Sequence, residues 1–282
     1  MPTTHAPCPV CATGMDPHSE HIECCPGCRY FRSSFLAGSG TGIDGLEALR
    51  RANFELVLDR MARHRRLDGA RLLEVGCAKG WFLEAARRRG MIVRGIEPEL
   101  ANQKIAVSNG FDVAHGFFPA AAAVMGPVDV VAFNDVFEHL PDPASAIKSA
   151  AELLATNGIV SLNIPSSDGA LFRLSRILRR AGFAAPWQRL WQTGLASPHI
   201  SYFNAENLVT LAARHAPLAK LDGCHLQTLT REGLRDRVKS ANPGLGGDAM
   251  FAAVWALSFV MDRLPSDIVL VILEKKLSRP TR

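Results

Sequence analysis

The sequence lacks a hydrophobic stretch long enough to span a bilayer, and it has no apolar segment near its first residue. Its longest apolar run, from Ala249 to Met261, is bounded by Asp248 and Asp262 and falls short of the ~20 residues that a spanning helix needs. Residues 1–30 are instead rich in Pro, Cys and His, a composition that excludes a secretory signal. We therefore expect a cytoplasmic protein and leave contact with a membrane surface open.

Strong charge of either sign is also missing. The net charge is +5 over 282 residues, of which 21% are charged and 48% hydrophobic, as in ordinary soluble globular chains. A balance this mild permits an anionic partner but does not require one. The length allows one large domain and a smaller one.

Cysteine is scarce outside one short segment, because five of the seven cysteines lie within residues 8–28. In a reducing compartment such a cluster indicates metal binding rather than disulfides. The segment holds two C-P-x-C pairs, and two such turns can close a four-thiolate zinc site with no open position for catalysis. Bound metal would supply most of the folding energy of so short a segment. We expect a structural zinc ribbon over residues 1–35 with ligands Cys8, Cys11, Cys25 and Cys28, and Cys24 is left open as a replacement for Cys25.

From residue 71 onward, strand-like apolar runs alternate with helical segments, and a further helix with one apolar side covers residues 44–66. Asp142 before Pro143 is a helix N-cap pattern, and we expect that helix to end at Asn157-Gly158. Strands alternating with helices at this pitch predict an α/β fold, with a parallel sheet and helices on both faces. The predicted strands are Arg71–Val75, Ile92–Ile96, Phe111–Ala114, Val128–Phe133, Ile159–Ile164 and Ile268–Glu274, and the helices among the first of them are Trp81–Arg89 and Glu99–Ser108.

The turn after the first strand departs from the common nucleotide-binding motifs. In LLEVGCAKGWFLEAARRRG, residues 72–90, Ala78 and Trp81 occupy two glycine positions of the dinucleotide pattern G-x-G-x-x-G. No G-K-[ST] follows, which excludes a phosphate-binding P-loop. Because the turn joins a strand to a helix, we expect its backbone N–H groups to face a ligand.

What the turn keeps is an acid and two glycines, namely Glu74, Gly76 and Gly80. About 20 residues further on, Glu97 ends the next strand, where a carboxylate can accept hydrogen bonds from both hydroxyls of a ribose. Ligands of such sheets bind beyond the carboxyl ends of the strands. These residues therefore predict a nucleoside site at that edge.

Four motifs follow one another across residues 71–166: LLEVGCAKGWFLEAA, VRGIEPE, VDVVAFNDVFEHLPDP and NGIVSLNIPS; PHISYFNAENL at 198–208 extends the series. In kind and order they resemble the class I S-adenosylmethionine (SAM)-dependent methyltransferases, especially the ubiquinone-biosynthesis-like branch that acts on small molecules. The resemblance implies a Rossmann-like, seven-stranded, mostly parallel sheet and SAM as the methyl donor. It also implies a methyltransferase domain over residues 69–282, after a linker and leading helix at 36–68.

The resemblance also implies roles for individual residues. Glu74 and the turn would hold the methionine moiety of SAM, and Glu97 would bind the ribose. The loop after the third strand has no acid to meet the adenine amine, so Phe117 or Phe118 is expected to contribute only ring packing. The cofactor-binding residues are thus predicted to be Glu74, Gly76, Cys77, Ala78, Gly80, Glu97, Phe117, Phe118, Asn134 and Asp135.

The chemistry itself needs few residues, because alignment of the acceptor with an activated methyl group supplies most of the acceleration. An oxygen acceptor, which we favour, can also need a base. His199 in SPHISYF and His139 in EHLP are the catalytic candidates, as a base or as groups that orient the acceptor. A purely structural role is the alternative for each, and Glu138 with His139 could instead bind a divalent ion, as in some quinone-type relatives.

An insertion over residues 165–204 lies where related enzymes build a lid over the acceptor. Its segment ALFRLSRILRRAGF spaces four arginines along a helix whose other side is apolar. Such a helix can lie on an anionic membrane or clasp a phosphate-bearing acceptor; an ordinary solvated face is the alternative. The expected acceptor is a small or lipid-linked metabolite, with glycan and natural-product intermediates included. We expect the apolar helix 249–261 to cover the sheet rather than to dip into lipid.

Two other functions compete with this one. A zinc ribbon ahead of a SAM domain also resembles the ribosomal-RNA guanine methyltransferases, but this ribbon has few basic or aromatic residues with which to hold RNA, so nucleic acid is disfavoured as a partner. The chain could also be a catalytically silent scaffold of the same fold. The sequence leaves the oligomeric state open.

Overall fold

The computed structural model describes residues 6–39, 46–123, 125–229, 231, 234–235, 238, 245–261 and 263–276. Parts of the predicted ribbon (1–5), linker (40–45) and final segment (277–282) lie outside these residues, as does Asp262.

The described elements alternate between strand and helix, as predicted. In chain order the strands are β1 (Asp16–Ser19), β2 (Ile22–Cys24), β3 (Phe31–Ser33), β4 (Arg71–Val75), β5 (Ile92–Glu97), β6 (Asp112–His115), β7 (Val128–Asn134), β8 (Leu154–Pro165), β9 (Ser201–Tyr202), β10 (Leu218–His225) and β11 (Ile268–Lys275). The helices are α1 (Glu47–Ala62), α2 (Trp81–Arg88), α3 (Leu100–Ser108), α4 (Pro143–Leu153), α5 (Ala170–Arg180), α6 (Ala185–Leu190), α7 (Ala205–His215) and α8 (Leu245–Met261).

A seven-stranded sheet forms the centre of the fold and confirms the predicted Rossmann-like architecture. Its strand order is β10-β11-β8-β7-β4-β5-β6. The pairs from β8 to β6 are parallel, whereas β11 runs antiparallel to both of its neighbours. The carboxyl ends of the five parallel strands therefore meet at one edge, where ligands of such sheets bind.

Successive residues of the central strands face opposite sides, so each strand contributes to two cores. Leu72 and Val130 face the side covered by α1, α2 and α3, whereas Leu73 and Val131 face the side covered by α4 and α7. All four side chains are fully buried. Burial on both faces explains why these strands appear in the sequence as continuous apolar runs.

The cysteine-rich segment forms a second, small sheet. Its order is β1-β2-β3-β9, all antiparallel. The fourth strand does not come from the ribbon but from residues Ser201–Tyr202, near the end of the predicted insertion 165–204. The ribbon is thus joined to the lid by main-chain hydrogen bonds.

Two expectations about the helices are wrong. The helix that begins at Pro143 ends at Leu153 and not at Asn157-Gly158, because Leu154 already pairs with Val128 as the first residue of β8. The apolar helix α8 does not cover the sheet, since none of its described side chains belongs to a core cluster and Trp255 remains 46% exposed. Among the residues that the structure describes, no helix has the length and apolar character that crossing a bilayer requires.

Candidate functional site

A cavity of about 810 Å³ opens at the carboxyl edge of the parallel strands, within the usual range for small-molecule sites. Glu97 lines one end, and His139 and His199 line the other. A smaller cavity of about 160 Å³ adjoins it, and the two share Gly76 and Asp135 in their walls. The cleft is therefore built from the loops that follow β4, β5, β6, β7 and β8.

The turn after β4 requires its glycines. Gly76 and Gly80 have φ values of +69° and +86°, and a Cβ on Gly76 would lie 2.5 Å from Val136 Cγ2. Ala78 also adopts a left-handed conformation, with φ of +45°. The chain thus bends tightly enough to leave the smaller cavity open beside it.

Most N–H groups of this turn bond within the protein and not toward a ligand, contrary to expectation. Gly76 N and Cys77 N both donate to Ile96 O, and Ala78 N donates to Glu97 Oε2 at 2.8 Å. The Cys77 side chain is buried beneath the turn and packs in the core. Gly80 N donates to Cys77 O at 2.8 Å, so these four donors are not available to an anion.

Glu97 lies where the sequence predicts, at the end of β5 and in the cavity wall. Its Oε1 accepts from Glu99 N at 2.9 Å, and its Oε2 accepts from Ala78 N. Each carboxylate oxygen keeps a second lone pair, so both can still accept from a ribose diol. Burial raises the pKa of Glu97, and the two backbone donors oppose that rise.

Glu74 is buried beside the smaller cavity and has one oxygen without a partner. Asn134 Nδ2 donates to Glu74 Oε1 at 3.0 Å, while Oε2 has no hydrogen-bond partner. Burial, with a smaller contribution from the negative charge of Glu97, raises the pKa of Glu74 to about 8. A ligand ammonium group would satisfy this oxygen and stabilise the carboxylate.

Asp135 faces the larger cavity from a left-handed turn with φ of +53°. Arg50 Nε, from α1, donates to Asp135 Oδ2 at 3.0 Å. The sequence analysis did not identify Arg50, because that helix was judged by its apolar side alone. Its neighbours Leu46 and Leu49 also line the cavity, so α1 forms a wall of the site.

The two predicted aromatic residues have different environments. Phe118 packs edge-on against Phe133, with ring centroids 5.5 Å apart. Phe117 is 76% exposed at the cavity rim. Only Phe118 therefore packs its ring within the protein, and Phe117 is free to contact a ligand.

Glu138, His139 and His199 converge at the far end of the cavity. Glu138 Oε1 lies 3.9 Å from His139 Nε2 and 4.0 Å from His199 Nε2. The two imidazole rings are 4.9 Å apart. The three ligand atoms lie within 4.8 Å of one another, so the sequence candidates do form one cluster.

The hydrogen bonds fix the tautomers of both histidines. Tyr202 OH donates to Leu190 O and so accepts from His199 Nδ1 at 3.1 Å. His139 Nδ1 lies 2.8 Å from Pro198 O, an acceptor only, and therefore carries the proton. Both rings therefore carry their lone pair on Nε2, and that of His199 accepts from Gln192 Nε2 at 2.9 Å.

Burial sets the protonation states in this cluster. It lowers the pKa of His199 to about 3, and it also lowers that of His139. Burial raises the pKa of Glu138 well above its usual range, helped by the charge of Asp135. At neutral pH both imidazoles are therefore neutral, and burial favours the neutral form of the Glu138 carboxyl.

Gln192 is a further residue of this cluster that the sequence did not reveal. Its Nε2 lies 2.9 Å from His199 Nε2, and its backbone has φ of +52°. No sequence motif marks it, since its position follows from the path of the lid.

The predicted metal ligands also come together. Cys8, Cys11, Cys25 and Cys28 form a group whose sulfurs lie within 4.8 Å of one another. Cys24 is not in it and instead contacts Cys25 O through its sulfur at 3.7 Å. The geometry of the group therefore favours Cys25 over Cys24.

The two cysteine turns have the same backbone pattern. Cys8 N donates to Thr13 O and Cys25 N donates to Tyr30 O, and the left-handed residues are Ala12 and Arg29, with φ of +62° and +60°. Four convergent thiols on two equivalent turns fit a tetrahedral metal such as zinc.

Comparisons with known proteins agree with this geometry. A family model described as "Methyltransferase domain" matches residues 46–241. Ubiquinone biosynthesis O-methyltransferases are similar, at 33% identity over 33% of this chain and 40% of the protein from Caulobacter sp. (strain K31). The match to that from Xanthomonas campestris pv. campestris (strain B100) has 32% identity over 50% of this chain and 62% of the relative. The alignments thus span only about half the length of these relatives.

Solved structures share the fold. Magnesium protoporphyrin IX methyltransferase from Synechocystis PCC 6803, solved with bound SAM, has a TM-score of 0.51 and 11% identity, covering 85% of this chain and 87% of that one. Three findings lead to one conclusion: the central sheet, the order of the motifs along it, and the family match. This chain belongs to the methyltransferase domain family and has the class I SAM-dependent methyltransferase fold.

Proposed function

We propose that this protein transfers a methyl group from SAM to an oxygen atom of a small or lipid-linked acceptor. The observation that carries the proposal is the single cavity that runs from Glu97 to the His139–His199 pair. Glu97 would hold the ribose, and the unpartnered Glu74 Oε2 would receive the amino group of the methionine moiety. The acceptor would then lie between the methyl group and the histidines.

Bound SAM would supply an activated methyl carbon. The chain would align the acceptor oxygen with it and receive the proton that the oxygen loses as the carbon–oxygen bond forms. His199 lines the cavity at this position and Tyr202 holds its ring through Nδ1. Gln192 Nε2, which donates to His199 Nε2, would have to move aside for that nitrogen to take the proton. A histidine whose pKa is about 3 is a weak base. It suffices here, because the acceptor hydroxyl becomes strongly acidic only once it is bonded to the methyl group.

The same three side chains also fit a divalent cation, with one carboxylate oxygen and two imidazole nitrogens. Such an ion would polarise the acceptor oxygen directly. Titration calorimetry with Mg²⁺ and Mn²⁺ separates the two arrangements, since a cation site predicts binding that His199→Asn removes. An absence of binding supports the hydrogen-bonding role.

Two observations support a lipid-linked acceptor and an anionic membrane as the partner surface. Leu174, Ile177 and Phe183 of the lid are 50%, 62% and 64% exposed. They share α5 and its C-terminal end with four arginines, of which Arg173 and Arg180 are exposed. Exposed apolar side chains beside cations are what an interfacial helix requires.

The ribbon gives little support to RNA as the acceptor. Its aromatic residues Tyr30 and Phe31 are each only 1% exposed and cannot stack on bases. Arg32 is paired with Glu23 at 2.6 Å, and Arg29 lies 4.0 Å from Asp168.

We further propose that Cys8, Cys11, Cys25 and Cys28 bind one structural Zn²⁺. Metal analysis should find one zinc per chain, and Cys8→Ser should release it. A protein purified without any metal would contradict this assignment.

The central test is SAM binding by calorimetry. Glu97→Ala should weaken SAM affinity by at least about 100-fold, because two charge-assisted hydrogen bonds are lost. Glu99→Ala is the matched control, since Glu99 is exposed two residues away. Equal affinities of the two variants would remove the ribose role, and a wild-type protein that does not bind SAM would support the scaffold alternative.

A further inference from the structure

The ribbon shares its sheet with the segment that carries His199. Strand β3 pairs antiparallel with β9, so Phe31 lies opposite Tyr202 and Arg32 opposite Ser201. His199 is two residues before β9, and its side chain lines the far end of the cavity. The ribbon thus forms the outer support of a cavity wall.

Buried hydrogen bonds fix this joint on both sides of His199. Ser33 Oγ donates to His199 O at 2.8 Å, and Ser33 N donates to Ile200 O at 2.8 Å. Tyr30 OH lies 2.7 Å from Ser201 Oγ. On the opposite side of the segment, Ile200 N donates to Glu138 O. The main chain at 199–201 is therefore held between the ribbon and the Glu138 turn.

Aromatic packing extends the joint into the lid. The ring of Phe31 lies 5.2 Å from that of Phe172 in α5, and Tyr202 lies 4.8 Å from Trp191. Ile22 and Phe31 belong to the same core cluster as Trp187 and Trp191. The lid has no separate core of its own among the described residues, because ribbon side chains complete it.

The cysteine turns determine where these ribbon residues lie. Cys25 N donates to Tyr30 O. The second turn therefore ends at Tyr30, and the positions of Tyr30 and Phe31 depend on it. The thiols contact one another in the pairs Cys8–Cys28 and Cys11–Cys25, at 3.6 and 3.4 Å between sulfurs. A segment this short depends on metal for its folding.

We propose that metal binding by the cysteine ribbon builds the acceptor half of the active site, by holding residues 199–203 and the lid, while the SAM half forms without it. The SAM half lies at the carboxyl ends of β4 and β5, which pair with each other and make no strand contact with the ribbon. This inference rests on the proposed function only in naming the His139–His199 end as the acceptor side.

Hydrogen exchange of the zinc-loaded protein and of Cys11→Ser tests the proposal. Loss of the metal should speed exchange of the amides at 199–203 by at least about tenfold, as a locally opened state becomes populated. Amides of β4 and β5 should lose less protection than those at 199–203, and SAM affinity should stay within about twofold. Faster exchange confined to residues 6–34 would overturn the proposal, because the ribbon would then be an autonomous module. Failure of the wild type to bind SAM would instead refute the proposed function and leave this coupling standing.

A second, milder variant leaves all four cysteines of the ribbon in place. Ser33→Ala removes only the hydroxyl that donates to His199 O, whereas Ser34→Ala alters an exposed hydroxyl 3.5 Å from His21 Nδ1. Ser33→Ala should speed exchange at 199–203 with zinc content unchanged, and Ser34→Ala should not. Identical exchange in the two variants would show that the joint does not position His199.

Discussion

At the scale of single residues, the protein keeps its catalytic candidates neutral by burying them. His199 is only 6% exposed, and its pKa of about 3 lies well below the ordinary 6.5. Between pH 6.5 and pH 3 the unfolded chain protonates this imidazole, whereas the native state keeps it neutral. His199 therefore lowers the free energy of unfolding as the pH decreases over this range.

This difference predicts a measurable pH dependence. From pH 7 to pH 5, wild type should lose about 2 kcal/mol more unfolding free energy than His199→Asn. Glu74, whose pKa is also raised, acts in the opposite sense in both proteins and cancels in the comparison. Urea unfolding of both proteins at the two pH values measures this difference in unfolding free energy. Parallel pH profiles of wild type and His199→Asn would show that His199 is not buried in its neutral form.

Gly76 offers a second test at this scale. An added Cβ would lie 2.5 Å from Val136 Cγ2, whereas Gly69, with a similar φ of +78°, has nothing within 4 Å. Gly69→Ala should therefore cost only the left-handed strain of about 1 kcal/mol. Gly76→Ala should cost about 1–3 kcal/mol more and weaken SAM binding. Equal Tm shifts for the two variants would mean that the turn has room to adjust.

At the scale of elements, the sequence predicts strands best where both faces of a strand have the same environment. Strands β4, β7 and β8 are buried on both faces and appear as apolar runs, so the predicted strands match the observed ones within a few residues. Strand β10, with the sequence LAKLDGCH, is mostly half-buried at the sheet edge. Its mixed side chains show neither an apolar run nor a regular alternation, and it was not predicted.

The residues of the site were likewise predicted only in part. Glu74, Gly76 and Glu97 were found because a strand end fixes their place in the fold. Arg50 and Gln192 were missed, because their positions depend on how α1 and the lid fold over the cavity. Long-range packing of this kind leaves no local signature in the sequence.

Helix α5 carries the membrane prediction. Ile177→Asp should weaken cosedimentation with phosphatidylglycerol vesicles by about tenfold or more, since a buried apolar anchor is replaced by a charge that the lipid repels. Ile105→Asp on α3, at a side chain 41% exposed, is the control. If neither substitution changes cosedimentation, or if the wild type does not bind the vesicles, α5 has an ordinary solvated face.

At the scale of the whole molecule, the ribbon and the central sheet share one core. Cys8, Val10 and Tyr30 belong to the cluster that includes Phe133 and Leu162 of the sheet. His215 of α7 also contacts Pro9 O, with its Nε2 at 2.8 Å. An interface of this kind couples the unfolding of the two parts.

We therefore expect calorimetry of the zinc-loaded protein to show one unfolding transition. Cys28→Ser should lower its Tm, because a metal that binds only the native state stabilises it. Two separate transitions, with the upper one insensitive to the substitution, would show that the ribbon unfolds by itself.

The distance along the chain between the two halves of the small sheet has a consequence for biosynthesis. Ser201 follows its partner Tyr30 by 171 residues, so a ribosome releases it roughly 10–30 s later at ~5–20 residues per second. Both cysteine turns emerge long before the strand that closes their sheet. One edge of the small sheet therefore stays unpaired in the nascent chain throughout that interval.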